Sequence, residues 1–538
     1  MKKNWKIHSK LSGNFIQEFY RVRGIQNEDL DQFISPIHPK EISLKIEWKI
    51  EEAKKLILDS IQNEHSIVIH GDYDVDGVTA TAILYKTIFN WLGYKNCHYF
   101  IPDRFEDGYG LSNESVDKID QLVNFSEKKL LITVDCGITA VSSCEYAKSK
   151  GFKVLISDHH QKPEVLPNPD VILWSDKLTG AGISFALSAL LVGAKRDALV
   201  LALLGTIADL QPLLGLNRSI VKYGLKVFPE STVLGLNKLL EVSGLSSKSL
   251  STYDVGWVVA PRLNASGRLE SAISSLKLLT LEDEKEVSDL AIYLNQVNAE
   301  RQKKTLEAFV KAKSVVNSSQ NILLVQDTSF HEGVIGLVAG RLAQEYYRPS
   351  IVLSIGESTS KGSCRSIEGV NIIEILRTKS ELFENVGGHP MAAGFTILNS
   401  RIPELAKLLE EEGDKIPKAS LVPTLKVDFE VDPGFITLDT VKIIKDLEPF
   451  GVGNQEPIFA LMGARIFDAK RVGAEGKHIK FKVQRVASMG SVDAIFFNGG
   501  AVFESLDSGK AVDLAFNIKE NSFNGNTSVN IHIKDIRQ

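Results

Sequence analysis

The chain has 538 residues, too many for one hydrophobic core, so roughly three or four domains are expected. An apolar share of 43% and a charged share of 24% are those of a globular protein, and a net charge of −5 announces no nucleic-acid partner, which would need local basic surface instead. Four cysteines (Cys97, Cys136, Cys144 and Cys364) without a CxxC pair exclude a zinc knuckle or a disulfide framework and suit a reducing cytoplasm.

Residues 1–45 read as an irregular or helical N-terminal extension. The basic start Met1-Lys2-Lys3 has no apolar run behind it, so no signal peptide is expected. Over 46–282, short apolar runs end in polar clusters: Ser66–Ile69, Leu130–Val134 and Lys153–Ile156, with helical stretches between them. A parallel sheet covered on both faces reads this way. The most apolar stretch, Ala181–Ala208, is cut by Lys195, Arg196 and Asp197, which predicts buried helices rather than a membrane span. Over 283–317, Val287, Leu290, Leu294 and Val297 keep helical spacing without Pro or Gly and predict one long linker helix. A second α/β unit spans 318–415, opening on the strand-like Ile322–Val325 and ending near Gly413–Pro417. Residues 420–538 change character. His478–Arg485 alternates polar and apolar, and Asn524-Gly525 between two alternating runs reads as a hairpin turn, so an all-β module, a small barrel, is expected.

The chemistry gathers in four segments, three of them at predicted strand ends. His70-Gly71-Asp72-Tyr73-Asp74-Val75-Asp76-Gly77 follows the strand Ile67–Ile69 directly, where open α/β sheets bind ligands. Three carboxylates this close repel one another unless a cation lies between them. An Asp-rich turn capping the next helix is the alternative. Further on, Val134-Asp135-Cys136-Gly137, Ser157-Asp158-His159-His160 and Ala208-Asp209 each deliver an acid or a histidine. Mixed carboxylate and imidazole ligands suit manganese, with magnesium or zinc as alternatives, and so many ligands fit two cations about 3.5–4 Å apart.

These four segments resemble the four motifs of the DHH phosphoesterases. The resemblance implies that His70 and Asp72 hold one metal, that Asp74, His159 and Asp209 hold the other, and that Asp135 bridges the two. It places His160 beside the metals, facing the scissile phosphate, and leaves Asp158 to orient the histidines. Asp76 is read as structural. Asp135 and His160 are thus the expected catalytic pair. A hydroxide held between the metals would attack phosphorus, with His160 stabilising the phosphoryl oxygens or protonating the leaving alkoxide.

Two glycine-rich stretches let a backbone approach a phosphate: Lys361-Gly362-Ser363-Cys364-Arg365-Ser366 and Gly387-Gly388-His389. Taken singly, they are equally a solvated loop and a tight turn before a helix. Together they resemble the domain associated with DHH, in which the Gly-Gly-His motif contacts substrate, here through His389. In RecJ-like members the matching positions Ser363, Arg365 and Arg104 hold the 5′ end of the strand, and Arg268 of Pro261–Arg268 lies near the DNA backbone. Phe330 stands before His331 where that family usually carries Trp. Leu447–Asn454 resembles the approach to the RecJ-like oligonucleotide-binding (OB) barrel. From His478 onward, Ile479, Phe481 and Val483 share one face and His478, Lys480, Lys482 and Gln484 the other. With Lys470, Arg471 and Lys477 these form a basic stripe suited to a single strand's backbone. Phe467, Phe496 and Phe497 are read as core.

The resemblance runs from about Glu51 to the C-terminus. It implies an α/β protein with a parallel-sheet DHH catalytic domain, a linker helix, an α/β DHH-associated domain and a C-terminal OB-like barrel. The activity implied is a 5′–3′ exonuclease specific for single-stranded DNA, releasing 5′-mononucleotides with two divalent cations, manganese or magnesium, in DNA repair and recombination. The alternative is a DHH phosphodiesterase of short oligonucleotides or cyclic dinucleotides; such relatives stop after the Gly-Gly-His domain or carry membrane segments. The partners implied are single-stranded DNA, a RecQ-like helicase and a single-strand-binding protein, around a cytoplasmic monomer with no membrane attachment.

Overall fold

The computed structural model describes residues 3–26, 30–45, 49–104, 106–108, 110–246, 250–485, 490–506, 511–523 and 525–538. The chain divides into a larger unit, Ile37–Leu421, and a smaller one that joins Met1–Pro36 to Val422–Gln538. Strand β1 (Asn4–Lys10) belongs to the smaller unit.

In the larger unit, β2 (Ser66–His70), β3 (Cys97–Phe100), β4 (Lys129–Val134), β5 (Phe152–Asp158) and β6 (Val171–Trp174) form an all-parallel sheet in the order β3-β2-β4-β5-β6. Both faces are covered. Ile67, Ile69, Leu130 and Ile132 pack under the helices Val75–Tyr85, Gly180–Val192 and Arg196–Ala208. Val68 and Leu131 point the other way, onto Val116, Ile119 and Ala147 of the helices Asn113–Leu122 and Val141–Ser149. This is why these strands read as unbroken apolar runs. Because all five strands are parallel, the ends of β2, β4 and β5 lie along one edge. The apolar stretch from Ala181 becomes two buried helices that turn at Lys195. Among the described residues, no helix is long and apolar enough to cross a membrane.

A helix of 32 residues, Glu284–Val315, leads to the second sheet, its start capped by the Asp283 side chain, which accepts from Glu286 N. That sheet comprises β7 (Leu323–Asp327), β8 (Ser350–Ile355), β9 (Thr359–Arg365), β10 (Phe383–His389) and β11 (Ala392–Leu398), in the order β10-β11-β9-β8-β7. Its core runs past Gly413–Pro417, since Ile416 and Leu421 are buried in it.

In the smaller unit, β12 (Thr424–Glu430), β13 (Phe459–Val472), β14 (His478–Gln484), β15 (Ser491–Phe496), β16 (Ala511–Phe523) and β17 (Asn526–Arg537) follow one another. The sheet order is β1-β12-β13-β14-β15-β17-β16, and β13 also pairs with β16, which closes five strands into a barrel of OB type. The hairpin β16–β17 is present, with Phe523 opposite Asn526; Asn524 of the expected turn lies outside the described residues.

Two expectations are corrected. Asn4–Lys10, read as irregular or helical, is a strand parallel to β12, and the helix Phe15–Arg23 buries Phe15, Phe19 and Tyr20 in the barrel's core. Trp5 is buried while Lys6, His8 and Lys10 are exposed, the period-two signature in a segment too short to stand out. Phe467 and Phe497, read as core, are 38% and 48% exposed, because Ile466 takes the inward position on β13 and Phe497 follows the end of β15. Phe496 does pack against the core. The basic stripe is partly offset: Lys480 faces Asp493 at 3.8 Å, Lys482 faces Asp468 at 3.7 Å, and Arg471 pairs with Glu504 at 3.0 Å.

Candidate metal centre and phosphate-binding site

The acidic motif leaves β2 and turns at once into the helix Val75–Tyr85. Asp74 caps that helix, one oxygen accepting from Asp76 N and Gly77 N at 2.9 and 3.1 Å. Glycine is required at Gly77, where a Cβ would lie 2.6 Å from Asp72 Cβ. Asp76 is buried and accepts from Gly180 N (2.8 Å) and Ala181 N (3.0 Å), so it anchors the start of the helix Gly180–Val192. Its Oδ2 still lies 3.7 Å from His159 Nε2. Capping and metal-binding geometry therefore coexist in this motif.

Asp135 follows β4 in a left-handed conformation (φ 62°), and a Cβ on Gly180 would sit 2.5 Å from its own Cβ. The carboxylate is held where few backbones would place it. Its Oδ1 is 3.0 Å from His159 Nε2, and Asp209 Oδ2 is 3.8 Å from the same nitrogen. Ligand atoms fall within 4.8 Å of one another in three overlapping groups: Asp72, Asp74 and Asp135; Asp135, His159 and His160; Asp76, His159 and Asp209. Asp135 is common to the first two. His70 stands outside these groups at the end of β2. Its Nδ1 lies 3.4 Å from Cys136 Sγ, and its buried Nε2 makes no hydrogen bond. Asp135 Oδ1 and His159 Nε2 are likewise buried without a hydrogen bond.

Burial, and then the negative charge of neighbouring carboxylates, pushes Asp72, Asp74, Asp76, Asp135 and Asp209 above the ordinary carboxylate range. Burial pulls His70 down to about 4, so it is a neutral ligand. Asp158 behaves differently. Burial opposes its charge, but a hydrogen bond at 2.7 Å to His160 Nδ1, with donation from Ile138 N and His160 N, holds it below the usual range. Burial also opposes a proton on His160, yet Asp158, with the charges of Asp209 and Asp72, lifts it to about 9. Several mutually repelling acids, with the imidazoles of His70 and His159 whose buried Nε2 atoms make no hydrogen bond, form a donor set that fits two divalent cations.

Beside this centre lies a group of arginines. Arg104 covers the Tyr73 ring, its guanidinium carbon 5.2 Å from the centroid. Burial and the charges of Arg104, Arg301 and Arg365 pull Arg268 down to about 10. The Nε atoms of Arg268 and Arg301 are buried without a hydrogen bond. Like charges gathered this way call for an anion. The helix Glu332–Tyr346 begins against the group: a Cβ on Gly333 would meet Arg268 O at 1.9 Å, and one on Gly336 would meet Ser363 Oγ at 2.9 Å. Strand register does the rest. Arg365 on β9 pairs with Ala392 on β11, which pairs with His389 on β10, and Ser363, Gly394 and Gly387 form the parallel row. His389 is exposed and two strand spacings from Arg365, about 10 Å. Gly387-Gly388-His389 thus ends a strand rather than preceding a helix, and a Cβ on Gly388 would meet Ala392 O at 2.4 Å.

Sequence reading missed Arg301 and the contact of Cys136 with His70. Arg301 left a signal: Leu294, Val297, Asn298 and Thr305 are buried on the same helix, and polar Asn298 and Thr305 on a core-facing stripe mark a face turned to something other than core.

Three family models match in order: the DHH family N-terminal domain over residues 66–208, the DHHA1 domain over 319–413 and the RecJ OB domain over 427–535. The single-stranded-DNA-specific exonuclease RecJ of Bacillus subtilis (strain 168) is 34% identical over 502 residues, 90% of this chain, which spans 63% of that protein's length. The RecJ of Haemophilus influenzae is 31% identical over 559 residues, covering 96% of this chain and 95% of that protein. A crystal structure of RecJ from Thermus thermophilus in complex with Mn2+ superposes with a TM-score of 0.85 at 28% identity, covering 99% of this chain and 79% of that one. Another, of exonuclease RecJ bound to manganese, has a TM-score of 0.61 at 32% identity, covering 68% of this chain and 95% of that one. A relative matched at 31% identity along nearly its whole length, and three domain models in the order of the fold, show that the chain belongs to the RecJ family of DHH phosphoesterases.

Proposed function

We propose that this chain is a metal-dependent exodeoxyribonuclease that removes 5′-mononucleotides from the 5′ end of single-stranded DNA, in repair and recombination. The observation that carries this is the carboxylate–imidazole centre with a group of arginines beside it, in one unit of the fold. Two divalent cations, manganese or magnesium, would be held by His70, Asp72, Asp74, His159 and Asp209, with Asp135 shared between them; when bound they supply an acidified water and offset charge on the phosphoryl group. His160, kept protonated by Asp158, faces the developing negative charge. Arg104, Ser363 and Arg365 hold the terminal phosphate, with Arg268 next along the strand and His389 at the far end of the same row of the sheet.

The barrel favours a polymer over short oligonucleotides or cyclic dinucleotides, since a small substrate needs no second binding module. A helicase or single-strand-binding protein that delivers the strand, and a monomer acting in the cytoplasm, belong to the same proposal. Turnover of single-stranded DNA of about 50 nucleotides, of a trinucleotide and of a cyclic dinucleotide should be compared at equal phosphodiester concentration. The expected order places the long strand first; faster turnover of the cyclic dinucleotide would reject the substrate assignment while leaving the metal centre standing.

A further inference from the structure

The helical stretch that carries Arg268 begins, at its other end, with an aromatic pair that the chemistry above leaves unused. Tyr253 and Trp257 are one turn apart, 65% and 71% exposed, with ring centroids 6.1 Å apart and planes at 27°. Single exposed apolar residues are ordinary, but two large rings stacked on each other in solvent are not. Their position ties them to the metal centre. Gly256, between them in sequence, lies against Ile207, where a Cβ would come within 3.3 Å of Ile207 Cγ2. Ile207 is in the last turn of the helix Arg196–Ala208, whose C-cap is Asp209. Leu210 follows in a left-handed conformation (φ 59°) and is 68% exposed. The backbone around Trp257 is a π-helical turn, Val255–Val259, a distortion that recurs at functional sites. From there the helix runs on through Arg262 to Arg268. At about 1.5 Å per residue, Trp257 and Arg268 are roughly 16 Å apart.

We infer that Tyr253 and Trp257 form a stacking platform for the nucleobases of the single strand, a few nucleotides inward from its 5′ end. This rests on the proposed function. The occupant is nucleic acid because the pair is continuous with the metal and arginine site, and because flat stacked rings suit the π-face that every base carries, whatever the sequence. The platform therefore adds affinity for bases without sequence preference and lies outside the reacting atoms.

The test uses the full chain with Asp135→Ala, expected to stop cleavage, and manganese. Binding of a 5′-phosphorylated strand of about 20 nucleotides is compared with that of the same strand made abasic at about the third to sixth nucleotides. With the pair intact, loss of the bases should weaken binding about tenfold. Tyr253→Ala/Trp257→Ala should weaken the intact strand by a similar factor and abolish the difference between the two strands, while Trp257→Phe should preserve it. In the cleaving enzyme the double variant should raise KM and spare kcat. A double variant that still discriminates against the abasic strand would overturn the inference, whether or not overall affinity falls, and so would a change of oligomeric state with DNA affinity unaltered, which would make the patch an interface with a second copy. If the parent binds neither strand, the exonuclease reading itself fails and the platform falls with it.

Discussion

Asp158 stays ionised although buried, because the His160 ring and three backbone N–H groups surround it. Asp158→Asn should therefore remove the charge that keeps the proton on His160, and lower kcat by about 10²-fold with little change in KM; equal activity in steady-state assays would deny His160 its role. Cys136 Sγ lies 3.4 Å from His70 Nδ1 and 4.0 Å from His70 O. With the thiol beside Nδ1, the unbonded Nε2 is the atom left for a metal, so Cys136→Ala should weaken manganese binding by about tenfold in calorimetry, whereas unchanged affinity would make the contact incidental. At this scale the acids and histidines at the ends of β2, β4 and β5 were legible as candidates, since strand ends followed by acids are a local pattern, whereas Asp209 caps a helix. Cys136 and Arg301 were not, because what matters in each is a contact with a residue distant in sequence. The roles of Arg104 and His389 rested on resemblance alone, and the structure adds the row of paired backbones that relates His389 to Arg365.

The parallel sheet was readable from its apolar runs, and the long helix from uninterrupted spacing. The first strand escaped because its partner, β12, lies more than four hundred residues away, and no local signal specifies a parallel pairing at that range. The helix that follows it fills the barrel with Phe19, which is fully buried. Phe19→Ala should then destabilise the smaller unit by ~3–5 kcal/mol, read from its denaturant transition. A shift below about 1 kcal/mol would show that the N-terminal residues dock without supporting the barrel. Phe467 was misassigned for a related reason: inward and outward positions on a barrel strand are distinguished by register, and bulges in β13 break the alternation, while Phe497 lies just past the end of β15.

For the molecule as a whole, the metal centre is a cost that cations offset. Asp72 and Asp135 bind protons more tightly folded than unfolded, each above the ordinary 3.8. That contribution to stability is complete below 3.8 and is lost as pH rises through the higher folded values. Metal-free protein should therefore lose stability as pH rises from the acid side toward neutrality, and manganese should restore it. The rise in Tm on adding manganese is expected to grow between about pH 5.5 and about pH 8; an increment that shrinks over this range would mean that these carboxylates are not the ligands.

The reaction proposed for this centre is hydrolysis of single-stranded DNA from its 5′ end. It is tested most directly by following 5′-labelled and 3′-labelled strands of about 50 nucleotides with manganese or with chelator, beside a duplex control and Asp135→Ala. Immediate release of the 5′ label as mononucleotide, late loss of the 3′ label, an intact duplex, and no reaction with chelator or with the variant are expected. Early release of the 3′ label, or cleavage that persists in Asp135→Ala, would contradict it.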